Sequence, residues 1–190
     1  MNTKLIFVTG GARSGKSSFA LEMANSITTL QSPPWQGGDE RRGRKCYLAT
    51  AQALDSEMEE RIAKHKAERG PDWDSIEEPL RVAEKIEEVK GRYDVVLFDC
   101  LTLWVSNLMH KSRESGVGSQ EIEEIGQLVT VCKKSGTTVI VVSNEVGLGI
   151  VPNNALSRRF RDLAGTANQL FAKAADEAYF VVSGIPMRLK

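Results

Sequence analysis

The sequence predicts a three-layer α/β domain with a mostly parallel central sheet and a C-terminal edge hairpin. Three observations predict it. Short apolar runs alternate along the chain with longer stretches of helical periodicity. Two of those runs, Val95-Val96-Leu97-Phe98 and Val139-Ile140-Val141-Val142, are apolar at every position, as strands covered on both faces are. The last run, Tyr179-Phe180-Val181-Val182, meets Ser183-Gly184 and then Ile185-Pro186-Met187, a turn into a short edge strand that tolerates proline.

In chain order, the predicted strands cover 5–9, 45–49, 95–99, 138–143 and 177–182. The predicted helices lie near 15–30, 54–69, 80–90, 101–112, 119–135 and 155–175. Residues 31–44, rich in Pro, Gly and charge, read as a flexible surface insertion between the first helix and the second strand. Residues 111–120, with Gly116, Gly118 and serines, read as a second mobile segment. At 190 residues, the whole span 1–190 suits one domain.

Composition narrows the function classes. Lys plus Arg equals Asp plus Glu at 25 each, so no global field draws the chain to nucleic acid or to a membrane surface. No apolar run has the length of a membrane span, and Met1-Asn2-Thr3-Lys4 leads straight into a strand, so a cytoplasmic location is expected. Cys46, Cys100 and Cys132 are widely spaced within apolar segments and read as buried reduced thiols rather than disulfides or zinc ligands.

Gly10-Gly11-Ala12-Arg13-Ser14-Gly15-Lys16-Ser17 is a complete G-x-x-x-x-G-K-[ST] loop, following Leu5-Ile6-Phe7-Val8-Thr9 and opening a helix. Its glycines let backbone N–H groups turn onto phosphate oxygens, and the helix N-terminus adds partial positive charge. Lys16 is placed for the β- and γ-phosphates, and the Ser17 hydroxyl for Mg²⁺. The chain is therefore expected to be a P-loop (RecA-like) domain that binds a nucleoside triphosphate.

The remaining polar residues sort by position. Asp99 ends an apolar strand, where a carboxylate serves Mg²⁺ or caps the next helix. Asn144 and Glu145 follow the 138–143 strand, either as ligand contacts in the crevice beyond the strand ends or as turn residues. Arg161 reads either as a phosphate contact or as a surface partner of Asp162. Met58, Ile62 and His65 share a helix face, with Arg61, Lys64, Lys66 and Arg69 nearby. His65 thus reads either as a core-edge histidine or as a nucleophile kept unprotonated by surrounding cations. His110 follows an apolar helix and has no comparable setting.

Taken together, the stretch from Thr9 to Ser17, Tyr47-Leu48-Ala49-Thr50-Ala51, the stretch from Glu57 to His65, the stretch from Asp99 to Leu108, the stretch from Ser143 to Pro152, Arg159 to Gly165, Asn168-Gln169 and Val181-Val182-Ser183-Gly184 resemble one family. It is the bifunctional adenosylcobinamide kinase/adenosylcobinamide-phosphate guanylyltransferase family, and the resemblance spans the chain apart from 31–44. It implies that a nucleoside triphosphate, ATP or GTP, phosphorylates the aminopropanol hydroxyl of adenosylcobinamide. GTP then donates GMP through a histidine phosphoramidate, for which the matching residue is His65. It further implies nucleotide contacts at Ala49, Thr50, Ala51, Lys66, Ala67, Glu68, Arg69, Glu77 and Asp99, with Mg²⁺ at Ser17 and Asp99. Glu77 or Asp99 is also placed to accept the guanine N1–H and 2-amino hydrogens. Some relatives carry Glu at Asp99, and a second imidazole beside the nucleophile is Lys64 here. The resemblance implies a homo-oligomer, a trimer, with a corrinoid and GTP or ATP as its partners. Without it, the residues also suit a P-loop kinase of small alcohols or a RecA-like regulatory ATPase.

Overall fold

The computed structural model describes residues 3–31, 44–52, 60, 72–115 and 120–190. The expected insertion and the helix expected over 54–69 lie almost wholly outside the described residues. The elements in order are β1 (Leu5–Gly10), α1 (Lys16–Gln31), β2 (Lys45–Ala49), β3 (Trp73–Glu77), α2 (Val82–Glu88), β4 (Val95–Asp99), α3 (Leu101–Ser115), α4 (Glu121–Lys134), β5 (Thr138–Asn144), α5 (Ala155–Ala174), β6 (Glu177–Val182) and β7 (Ile185–Arg188).

These strands form one seven-stranded sheet in the order β3-β2-β4-β5-β1-β6-β7. Every pairing is parallel except β6 with β7, whose antiparallel hairpin puts Pro186 on the edge as expected. Alternation along each strand sorts the core into two faces. Ile6, Val8, Val95, Leu97, Ile140 and Val142 face α1, where Ala20 and Ala24 are wholly buried one turn apart. Those two small residues let α1 lie close to the sheet. Leu5, Phe7, Val96, Phe98, Val139 and Val141 face the other way, against Leu101, Trp104, Leu108, Ile125, Leu128 and Phe171.

Three expectations need correction. β3 was not expected: only Trp73 and Ile76 of its five residues are apolar, and they lie on opposite faces of this edge strand, one against each core layer, so neither face carries a periodic apolar signal. β1 and β5 each run one residue further than expected, to Gly10 and Asn144, because their backbones stay paired to the loop itself. The first half of the expected mobile segment 111–120 is helical, with α3 continuing to Ser115.

The three cysteines are free and buried, as expected. Burial pushes the thiols of Cys46 and Cys100 up to about 12 and that of Cys132 higher still. At the opposite edge from the P-loop, Asp176 ties the start of β1 down. Its Oδ2 accepts the Leu5 N–H at 2.8 Å and its Oδ1 accepts Lys133 Nζ at 2.5 Å.

Two measurements check this account. Native protein at pH 8 should resist alkylation by iodoacetamide, and all three thiols should react once it is unfolded, because the thiolate is the nucleophile. The Lys133 hydrogen bond, with the Leu5 N–H, holds the Asp176 carboxyl below its ordinary value despite partial burial. A depressed carboxylate stabilises the fold above its unfolded pKa, near 3.9, and loses that contribution as pH falls through its folded value. Asp176→Asn should therefore lower Tm by roughly 2–4 °C at pH 7, with the deficit shrinking in acid.

Candidate functional site

The strand register lines up one row of residues at the C-terminal edge of the sheet. Glu77 lies opposite Ala49, Ala49 opposite Asp99, and Asp99 opposite Val142. Gly10 lies opposite Asn144 on one side and Val181 on the other. By strand parity Asp99, Asn144 and Gly10 point to the same face as Leu97, Val142 and Val8, the face that α1 covers. In open parallel sheets, ligands bind beyond this edge.

Residues 10–17 wrap the front of that row. Arg13 and Gly15 take positive φ, 56° and 90°, which turns the chain sharply between β1 and α1. A Cβ on Gly10 would stand 2.5 Å from Val181 O and 2.7 Å from Ser14 Oγ, so only glycine fits there. Lys16 is the first residue of α1, is 8% exposed, and donates from Nζ to Gly11 O at 3.0 Å. No acidic side chain occupies the first turn of α1, so no carboxylate of that turn opposes the helix's positive end. Such a cradle, with a buried cation at a helix N-terminus, is built for a polyphosphate.

Asp99 sits two strands from Gly10, because β5 lies between β4 and β1. Its Oδ2 accepts the Tyr47 hydroxyl at 2.8 Å, a side chain on β2 and not a helix N–H. The Asp99–Cys100 peptide is cis. Burial raises the Cys100 thiol, Asp99 raises it further, and Lys16 opposes both, so the two charges act on one atom. Thr50 is wholly buried and locks this strand end. Its N–H donates to Asp99 O, its hydroxyl donates to Cys100 O at 2.8 Å and accepts the Cys100 N–H at 3.1 Å, and its carbonyl accepts from Asn107. Thr50 thus positions Asp99 through the backbone, while Ala49 and Ala51 flank it partly exposed.

A second lock holds the end of β5. The Asn144 N–H donates to Thr102 Oγ1 at 2.7 Å, and Thr102 Oγ1 lies 3.0 Å from Ser143 Oγ. Ser143 Oγ donates to Asn168 Oδ1 at 2.6 Å, and Asn168 Nδ2 returns to Asn144 O at 3.2 Å. The ring closes on itself, with Thr102, Ser143 and Asn168 all buried. Asn168 also reaches Glu145 Oε2 at 3.4 Å, and the Glu145 N–H donates to Gly10 O at 3.0 Å. The loop after β5 is thereby fastened to the P-loop.

With this geometry in view, the comparisons decide the family. The family model described as "CobU: Cobinamide kinase / cobinamide phosphate guanyltransferase" matches residues 6–189. The chain belongs to this family. It is 39% identical to the bifunctional adenosylcobalamin biosynthesis protein CobP of Pseudomonas aeruginosa, over 96% of this chain and 95% of that one. It is 36% identical to the proteins of that description named CobU from Escherichia coli and Salmonella typhimurium, each over 98% of this chain and 99% of the relative. As a member of the cobinamide kinase/guanyltransferase family, it is a transferase that uses nucleotide substrates.

For this family member, the structure unites Gly10 to Ser17, Ala49, Thr50, Ala51 and Asp99 along one edge, and sets Glu77 at the far end of the same row. His65, Lys66, Ala67, Glu68 and Arg69 lie outside the described residues. Arg161 pairs with Asp162 at 3.2 Å, the surface alternative. Arg159 pairs with the buried Glu121 at 2.6 Å, and Arg158 bonds the carbonyls of Pro152 and Asn153. His110 lies on the flank between α3 and α5, beside Met109 and Phe160. Tyr47, Thr102 and Asn107 were not anticipated as site residues, since nothing in their spacing says that their polar ends meet the strand ends.

Removing Asn168 leaves the buried Ser143 hydroxyl and the half-buried Asn144 carbonyl without this partner. Leaving such groups unpaired costs about 1–3 kcal/mol, and for a chain of this size that lowers Tm by roughly 3–10 °C. Asn168→Ala should show that loss in a thermal melt, together with weaker nucleotide binding.

Proposed function

We propose that this chain, working as one catalytic domain, phosphorylates adenosylcobinamide with ATP or GTP and then transfers GMP from GTP to the product, giving adenosylcobinamide-GDP. The observation that carries this reading is the phosphate cradle of residues 10–17, with buried Lys16, in a chain matched by the family model from 6 to 189.

In the kinase step the aminopropanol hydroxyl oxygen attacks the γ-phosphorus, the bond to the β-phosphate oxygen breaks to release the nucleoside diphosphate, and the hydroxyl proton passes to solvent water. Lys16 and the inward N–H groups of the loop balance the charge that builds on the phosphate oxygens. In the transfer step a neutral imidazole nitrogen of His65 attacks the α-phosphorus of GTP and pyrophosphate leaves. A corrinoid phosphate oxygen then displaces the imidazole and takes the GMP. Lys66, Ala67, Glu68 and Arg69 follow the nucleophile and are assigned with it to the nucleotide.

Strand spacing separates the two carboxylates. At about 4.8 Å per strand, Asp99 stands about 10 Å along the sheet from Gly10, and Glu77 about 19 Å. Asp99 therefore serves the phosphate end and Glu77 the guanine end, where a carboxylate accepts the N1–H and 2-amino hydrogens. Mg²⁺ fits the donors present. Asp99 keeps Oδ1 open while Oδ2 is held by Tyr47, Ser17 adds a hydroxyl, and no cluster of three metal-ligating side chains exists among the described residues. A metal held by one carboxylate, one hydroxyl, nucleotide phosphates and water is the magnesium pattern. Bound there, it would supply charge neutralisation of the phosphates.

Self-association, with a trimer as the state proposed from the family resemblance, is supported by exposed apolar residues in two places, Ile185, Met187 and Leu189 at the β7 edge and Leu148, Ile150 and Val151 after β5. A cytoplasmic setting is supported by three free thiols.

The test is incubation with Mg²⁺ and GTP labelled at the α-phosphate. The reading predicts protein-bound label that is acid-labile, alkali-stable and absent in His65→Ala, which keeps corrinoid phosphorylation. Absence of label alongside intact corrinoid phosphorylation would leave a kinase alone and overturn the transfer step.

A further inference from the structure

We infer that Gly184, in the turn between β6 and β7, is a positioning residue of the phosphate site that aims the Gly15 N–H into the cradle. This rests on the reading of residues 10–17 as a nucleotide cradle and extends that site to the C-terminal hairpin.

A P-loop works only if its N–H groups point inward, and the orientation of a peptide plane is settled by whatever holds its carbonyl. In a trans peptide the C=O and N–H point in opposite directions. The Ser14–Gly15 peptide is trans, and Ser14 O accepts the Gly184 N–H at 2.8 Å. With that carbonyl drawn toward the hairpin, the Gly15 N–H faces the other way. The Gly10–Gly11 peptide is held alike, since Gly10 O accepts the Glu145 N–H at 3.0 Å, which directs the Gly11 N–H away from β5. Two donors from outside the loop thus orient two of its peptide planes.

The hairpin is built for this contact. Ser183 and Gly184 both take positive φ, 51° and 80°, so the turn swings the Gly184 N–H toward the loop. Serine occupies that region uncommonly, and no protein group bonds its side chain in compensation among the described residues. The approach is also close: a Cβ on Gly15 would stand 3.0 Å from Gly184 Cα. A Cβ on Gly184 would meet nothing within 4 Å, so a side chain there is opposed by φ rather than by space. Positive φ is open to asparagine and closed to valine, which provides the contrast.

The experiment titrates Mg-GTP into full-length wild type, Gly184→Asn and Gly184→Val by calorimetry, with Tm recorded for each. Wild type should bind; failure to bind overturns the nucleotide reading itself. Gly184→Asn keeps the turn and its N–H, and should bind within about twofold of wild type. Gly184→Val should lose roughly tenfold in affinity, the worth of one hydrogen bond to a charged oxygen. In turnover it should raise KM for the nucleotide and leave KM for the corrinoid unchanged. Should Gly184→Val fail to fold, one glycine inserted between Val182 and Ser183 shifts the Gly184 N–H along the turn without a φ conflict, with the same loss expected. A folded Gly184→Val or insertion variant that binds Mg-GTP like wild type, or one that loses Tm alone, overturns the inference.

Discussion

Gly10 has no room for a side chain, and the site is arranged around that closeness. Val181 O from β6 and the Ser14 hydroxyl from the returning loop fill the volume that a Cβ would take. Because β1 lies between β5 and β6, this single residue touches both neighbours, and each passes its own fastening to the loop. From β5 comes the Glu145 N–H, and from the β6–β7 turn the Gly184 N–H. A loop of small residues, with little backbone restriction of its own, is rigid here because its surroundings over-determine it.

The same logic extends along the edge. Three strands that reach the site, β2, β4 and β5, have their last residues locked by buried hydrogen bonds from the layer behind. Thr50 and Asn107 hold β2 and the backbone of β4, and Thr102, Ser143 and Asn168 hold β5. These groups lie on the face away from α1 or beneath the edge, while Lys16, Asp99 and Asn144 lie toward α1. Buried hydrogen bonds behind the edge, with Tyr47 on the α1 side, thus fix the backbones that carry the candidate side chains.

Much of this was legible in the sequence. Strands β2, β4 and β6 were bounded to the residue because their apolar runs are continuous. The P-loop was legible because its mechanism demands glycine and lysine at fixed offsets. β3 was not, because an edge strand with two apolar residues carries no periodic signal. Nor were Tyr47, Thr102 and Gly184, whose partners stand 52, 41 and 170 positions away or thereabouts and meet only through sheet order. Residue spacing reports what lies on one element; it does not report which strand ends become neighbours. Arg161 shows the limit in the other direction, a cation of plausible chemistry that the fold pairs with its own neighbour.

The central claim is that one phosphate cradle serves both half-reactions. The direct test is Lys16→Ala, with an unchanged melting profile, assayed separately for corrinoid phosphorylation and for guanylyl transfer to pre-formed adenosylcobinamide phosphate. The account predicts that both rates fall by about a hundredfold or more, as loss of a preorganised charge on a transferring phosphoryl group does. Retention of either rate near that of the wild type would mean that the two reactions use different phosphate sites, and would contradict the account.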